Sequence, residues 1–154
     1  MGPADWVMEL LAMAGLALLF GYAVYWYRYL PDTIPTHFSM GGKVDGYGSK
    51  GSLFMLPAIG LFLYGLLTLV ALIPHTFNFP GKITPQNALR QYRLAIRLVR
   101  VLKIVLIFLF FFIVMMIVRS ALQAKLDQSI FMLPVMLGMT FIPIVVYLVL
   151  AGKK

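Results

Sequence analysis

Apolar residues fall into four runs, Trp6 to Tyr27, Leu53 to Ile73, Ile104 to Val118 and Ile130 to Leu150, divided by segments rich in Gly, Pro and charge. Three of these runs reach the roughly 20 residues needed to cross a ~30 Å hydrocarbon core. The third is shorter, about 22 Å at 1.5 Å per residue. It is preceded by Leu94, Ala95, Ile96, Leu98, Val99, Val101 and Leu102, which continue the helix backward, and Arg100 and Lys103 are expected to snorkel toward the surface. The pattern therefore predicts an all-α membrane protein, a bundle of four transmembrane helices in one polytopic domain. The helices are expected over 6–29, 53–74, 87–118 and 130–150, with loops over 30–52, 75–86 and 119–129.

Finer features refine this outline. Tyr22, Tyr25, Trp26, Tyr27 and Tyr29 crowd one end of the first helix, where amphipathic rings settle at headgroup level. Ala17 and Gly21 form a small-xxx-small pair, expected to let a neighbouring helix of the same bundle approach closely. Pro57 falls in the first turn of the second helix, where its missing N–H costs little, and Pro74 marks the exit. Pro134 and Pro143 interrupt the last run, which membrane helices tolerate where neighbours satisfy the freed carbonyls.

Segment 30–52 is the least lipid-like part of the chain. Pro31 and Pro35 favour extended backbone before them, Asp45-Gly46 is a turn signal, and polar and apolar residues are interleaved throughout, so a folded loop is expected. From residue 86 the pattern turns helical, with Arg90, Arg93, Arg97, Arg100 and Lys103 inside an arc of about 140°. This is an amphipathic basic extension of the third helix.

Composition agrees with a bilayer protein: 62% of residues are hydrophobic and 12% charged, against about a quarter charged in soluble domains. No basic residue precedes the first apolar run, so that run is expected to be a retained helix and not a cleaved signal. Without cysteine there are no disulfides or thiolate metal sites. The net charge of +8 is unevenly shared. Lys82, Arg90, Arg93, Arg97, Arg100, Lys103, Lys153 and Lys154 fall on one side of a four-span chain, and Arg28, Lys43, Lys50, Arg119 and Lys125 on the other. The positive-inside rule then places both termini in the cytoplasm and loop 30–52 outside. His37 and His75 fall on opposite faces and cannot share a metal.

Candidate chemistry is sparse. The middle of every span lacks an acid, which disfavours a carboxylate relay for transport. His37 with Asp32 and Asp45 offers a metal or acid–base set, yet no HxxxE, HExxH or Ser-His-Asp pattern accompanies it. No catalytic residue, metal site or cofactor is assigned. Gly46-Tyr-Gly-Ser-Lys50-Gly51 fails the spacing and context of a phosphate loop, although backbone nests there could hold an anion. Arg90, Arg93, Arg97, Arg100 and Lys103 suit anionic inner-leaflet lipid or a cytoplasmic partner; each base near an anionic surface contributes about 1 kcal/mol. A voltage-sensing role would need acidic counter-charges within the bundle, and none is expected there. No nucleic-acid partner is expected, and a homo-oligomer is left open.

The stretch Leu30-Pro31-Asp32-Thr33-Ile34-Pro35-Thr36-His37-Phe38, followed by Gly42, Asp45-Gly46-Tyr47-Gly48 and Ser49-Lys50, resembles a bacterial membrane domain found at the N-terminal part of Sdp-type toxin-immunity proteins. The resemblance covers about residues 25–75. It implies a polytopic protein of the bacterial or archaeal cytoplasmic membrane that protects against a secreted antimicrobial peptide and sequesters a cytoplasmic regulator. Carried over residue by residue, it marks Pro31, Pro35, His37, Phe38, Gly42, Asp45, Gly46 and Lys50 as the defining loop, with fold maintenance and ligand contact both open as roles; Asp32, Pro35, His37, Phe38, Gly42, Asp45, Gly46 and Lys50 are the candidates for ligand contact. The expected function is non-enzymatic: recognition of a peptide or lipid at the outer surface, with signalling inward. The alternatives are a small membrane hydrolase working through His37 and Asp45, and a small transporter or channel subunit.

Overall fold

A computed structural model describes residues 2–39, 43–122 and 132–152. Residues 123–131, including Lys125 and Asp127, as well as Gly42 and the two terminal lysines, lie outside the described residues. Among the described residues four helical segments are long and apolar enough to cross a membrane: α1 (Pro3–Tyr27), α2 (Met55–Val70) together with the 3-10 turn Lys50–Phe54 that leads into it, α3 (Ala88–Ala121) and α4 (Met132–Gly152). The chain is an integral membrane protein. Large apolar side chains such as Leu10, Leu18, Phe62, Leu69 and Ile142 remain exposed on the helices, as they must where the solvent is lipid.

The helices run up, down, up and down. Helix α3, about 51 Å long at 1.5 Å per residue, is the hub and packs against α1, α2 and α4. Close packing rests on glycine. A Cβ on Gly15 would sit 3.1 Å from Ile107 Cγ2, and one on Gly60 would sit 3.3 Å from Leu19 Cδ2, so α1 and α3, and α1 and α2, touch along small-residue contacts. The pair singled out from sequence, Ala17 and Gly21, is not such a contact. It lines an open apolar groove with Leu18, Tyr22, Tyr25 and Phe111, and nothing lies within 4 Å of a Cβ on Gly21. The buried face of α1 instead carries Ala12, Gly15, Leu19 and Ala23. Pro143 sits inside a continuous α4 and does not end it.

The loop between α1 and α2 is a β-hairpin, which the turn residues did not announce. Strand β1 (Thr33–Phe38) pairs antiparallel with β2 (Val44–Ser49), and a 3-10 turn, Lys50–Phe54, leads into α2. Asp45-Gly46, read from sequence as a turn, lies within β2. Gly46 is there for close approach: its Cβ would fall 2.9 Å from His37 Cβ, and that of Gly48 2.9 Å from Thr36 Cγ2. Register irregularities flank His37, so β1 departs from simple alternation and buries both Ile34 and Pro35. Ile34 joins Leu30, Leu53, Leu19, Ala23, Val114, Ile117 and Val118 in one core, fixing the hairpin to the end of the bundle.

Candidate functional site

Two polar constellations stand at opposite ends of the bundle. At the hairpin end, the base of the hairpin is clasped twice. The Lys50 N–H donates to the Asp32 carbonyl at 2.9 Å, and the Lys50 ammonium pairs with the Asp32 carboxylate at 2.8 Å. That hydrogen bond, with the ammonium charge behind it, holds the Asp32 carboxyl below the usual carboxylate range. Lys50 also lies 5.4 Å from the centre of the Tyr27 ring, and Tyr27 packs on Phe54, so the clasp rests on the aromatic end of α1. Beside it Arg28 lies over the rings of Tyr25 and Tyr29, at 5.4 and 4.8 Å. The belt read from sequence is thus a contiguous aromatic and cationic collar.

On the outward face of the hairpin His37 Nδ1 contacts the Asp45 carboxylate, both side chains being well exposed. Tyr47 follows on the same face of β2, 66% exposed. Of the loop residues predicted from sequence, Asp32 and Lys50 form one pair and His37 and Asp45 another. Pro35 is buried, Phe38 packs against the core and Gly46 serves close approach. Among the described residues no group of three or more His, Cys, Asp or Glu side chains comes together as a metal cage.

The other end carries the basic extension, and here the sequence reading needs correction. The stripe does not face outward as a unit. Arg100 and Lys103 do not snorkel; they are buried. Arg100 bonds Asp5 at 2.9 Å and Glu9 at 3.1 Å, and Lys103 bonds Glu9 at 2.5 Å and Thr68 Oγ1 at 3.0 Å, with its ammonium 4.4 Å from the Tyr64 ring centre. The Thr68 hydroxyl donates in turn to the Tyr64 carbonyl at 2.7 Å, so the network ends on backbone. Acidic counter-charges therefore do stand inside the bundle at this level. Arg97 reaches Asp5 at 3.4 Å and stays half exposed. Arg90 donates to the Leu150 carbonyl at 2.7 Å and Gln91 to that of Ala151 at 2.9 Å, satisfying the last turn of α4.

Sequence reasoning missed Asp5, Glu9, Tyr64 and Thr68. A signal existed for the acids: they are the two carboxylates of α1, spaced i, i+4 on one face, and α3 carries bases at matching three- and four-residue steps.

Comparison with known proteins bears on the hairpin end. Residues 14–61 match the family model described as "Domain of unknown function (DUF1648)". A DUF1648 domain occupies this segment. It takes in most of α1, the hairpin and the start of α2. The DUF1648 segment therefore leaves out Asp5, Glu9 and the whole of α3, so the ion network is built from residues outside it. A protein of Archaeoglobus fulgidus described as "Uncharacterized protein" is 32% identical over 91 residues, covering 54% of this chain and 50% of that protein. The chain thus spans about half the length of the curated relative it matches. No solved structure matches.

Proposed function

We propose that this protein is a non-enzymatic receptor of the cytoplasmic membrane, akin to toxin-immunity proteins, whose hairpin end faces outward and captures an extended peptide. The observation that carries this reading is the free edge of β2. Among the described residues the sheet has two strands, β1 rests against α3, and β2 packs chiefly on β1, so its outer edge is unpaired there. An unpaired edge offers a row of N–H and C=O groups to an incoming strand, the β-augmentation mode of peptide capture. The hairpin is fixed in place by Ile34, so little ordering entropy opposes binding. Tyr47, Asp45 and His37 stand beside that edge with an aromatic anchor and polar groups. The outward direction of this end rests on the bias of basic residues toward the other.

The test is survival of a sensitive host expressing the chain when challenged with a panel of membrane-active peptides. Protection is expected, and Tyr47→Ala should weaken peptide binding roughly 5- to 30-fold, the 1–2 kcal/mol typical of an interface aromatic, without changing the amount of folded protein. Protection against no peptide in the panel would sink the immunity reading.

A second reading, hydrolysis at the outer surface, is favoured only by the contact of His37 with Asp45, which holds an imidazole against a carboxylate as general-base pairs require. His37→Gln separates the two. A hydrolase would lose activity on ester or peptide substrates by two orders of magnitude or more, the usual contribution of general-base catalysis being about 10²–10⁴-fold. A receptor would show no such activity before or after the change.

A further inference from the structure

We propose that the cleft between the start of α1 and the basic turns of α3 is a phosphate site, shaped for the phosphate of an anionic lipid headgroup. The cleft, of about 350 Å³, is lined by Gly2, Asp5, Arg93, Ile96, Arg97 and Arg100. Three guanidinium groups thus share one pocket wall with a single carboxylate. Arg93, Arg97 and Arg100 follow an i, i+4, i+7 spacing that keeps them within about 60° of one another around α3.

The local carboxylates cannot satisfy these cations. Asp5 Oδ2 accepts from the Gly2 N–H at 2.7 Å, and its Oδ1 is divided between Arg100 at 2.9 Å and Arg97 at 3.4 Å. Both oxygens of Glu9 are likewise engaged, one by Arg100 and the other by Lys103. Arg93 has no ion pair or hydrogen bond among the described residues, and Arg97 has only its long contact. Four side-chain cations, Arg93, Arg97, Arg100 and Lys103, therefore meet two carboxylates, an excess of two positive charges on one face. A guanidinium with unused donors beside another is matched best by a tetrahedral oxyanion, which accepts bidentate hydrogen bonds from both.

Depth selects the source of the phosphate. Lys103 stands where the apolar stretch 104–118 begins, at the edge of the hydrocarbon. Arg100, Arg97 and Arg93 lie about 4.5, 9 and 15 Å further along the axis, which is the headgroup zone flanking a ~30 Å core. The cleft opens at the level where lipid phosphates lie. It is independent of the hairpin at the other end and of whatever the hairpin binds.

The experiment uses the full chain in a neutral detergent, titrated separately with short-chain phosphatidylglycerol, phosphatidylcholine, a fatty acid and inorganic phosphate, with binding read by native mass spectrometry and by the shift in melting temperature. Phosphatidylglycerol should bind about tenfold more tightly than phosphatidylcholine or the fatty acid, as expected of charge-assisted bidentate contacts. Arg93→Gln and Arg97→Gln should each remove most of that preference and their combination all of it. Lys82→Gln, an exposed base of the same end outside the cleft, should change nothing. Inorganic phosphate binding with the same dependence on Arg93 and Arg97 would support the phosphate site while assigning it to a free ligand. Equal binding of the fatty acid, or an equal loss from Lys82→Gln, would overturn the proposal, since attraction would then be diffuse. Binding of an acidic peptide in place of every phosphate compound would overturn it too.

Discussion

Replacing Glu9 by Gln is expected to lower the stability of the bundle by about 3–5 kcal/mol, the penalty for breaking a buried ion pair from one side. The carboxylate is the shared partner of Arg100 and Lys103, whose side chains are only 9% and 2% exposed. Without it Lys103 keeps one neutral hydroxyl, that of Thr68, and the face of Tyr64. Neither offsets a desolvated ammonium at the edge of the hydrocarbon. The measurement is unfolding of the purified protein in detergent, followed by helicity across a denaturant series. The paired variant Glu9→Gln with Lys103→Met should recover a large share of the loss, because it removes the orphaned charge together with its partner and leaves an apolar chain of similar length. A loss below about 1 kcal/mol for Glu9→Gln would mean that water reaches the pair as it does at an ordinary surface bridge.

Ile34→Ala is expected to produce an effect of similar size, about 2–5 kcal/mol for a fully buried aliphatic side chain, but confined to one end of the molecule. Ile34 is wholly buried and is the hairpin's deepest residue in the core made with Leu19, Leu53, Val114 and Val118. An isolated two-stranded hairpin is marginal in water, so removing this anchor should release the hairpin while the helices stay together. Hydrogen exchange over residues 33–49 should accelerate by two orders of magnitude or more, about 1.4 kcal/mol for each factor of ten, with α3 little changed. Peptide capture by the β2 edge should weaken in parallel. If exchange instead rose evenly along the helices, the hairpin and the bundle would be one cooperative unit.

Much of the architecture was written in the chain. The four apolar runs marked the spans because bilayer thickness imposes a length that few other structures share. The dense Gly, Pro and Asp of segment 30–52 announced a folded loop. The arc of Arg90 to Lys103 announced a polar face, since helical spacing is a local property.

What the sequence by itself could not determine was which face meets which. In a membrane helix the lipid side and the packed side are equally apolar. Nothing along α1 therefore distinguishes Gly15, which meets Ile107, from Gly21, which faces an open groove. The hairpin was equally hidden, because its register depends on Gly46 and Gly48 passing close over His37 and Thr36 and not on a turn signal at Asp45-Gly46. Only the tertiary structure brought Asp5 and Glu9 against α3, across some 90 residues of sequence. Charge complementarity over that separation has no local periodicity to reveal it. The pairing divided a stripe that reads as one surface into buried locks, Arg100 and Lys103, and the exposed pair Arg93 and Arg97 that line a cleft.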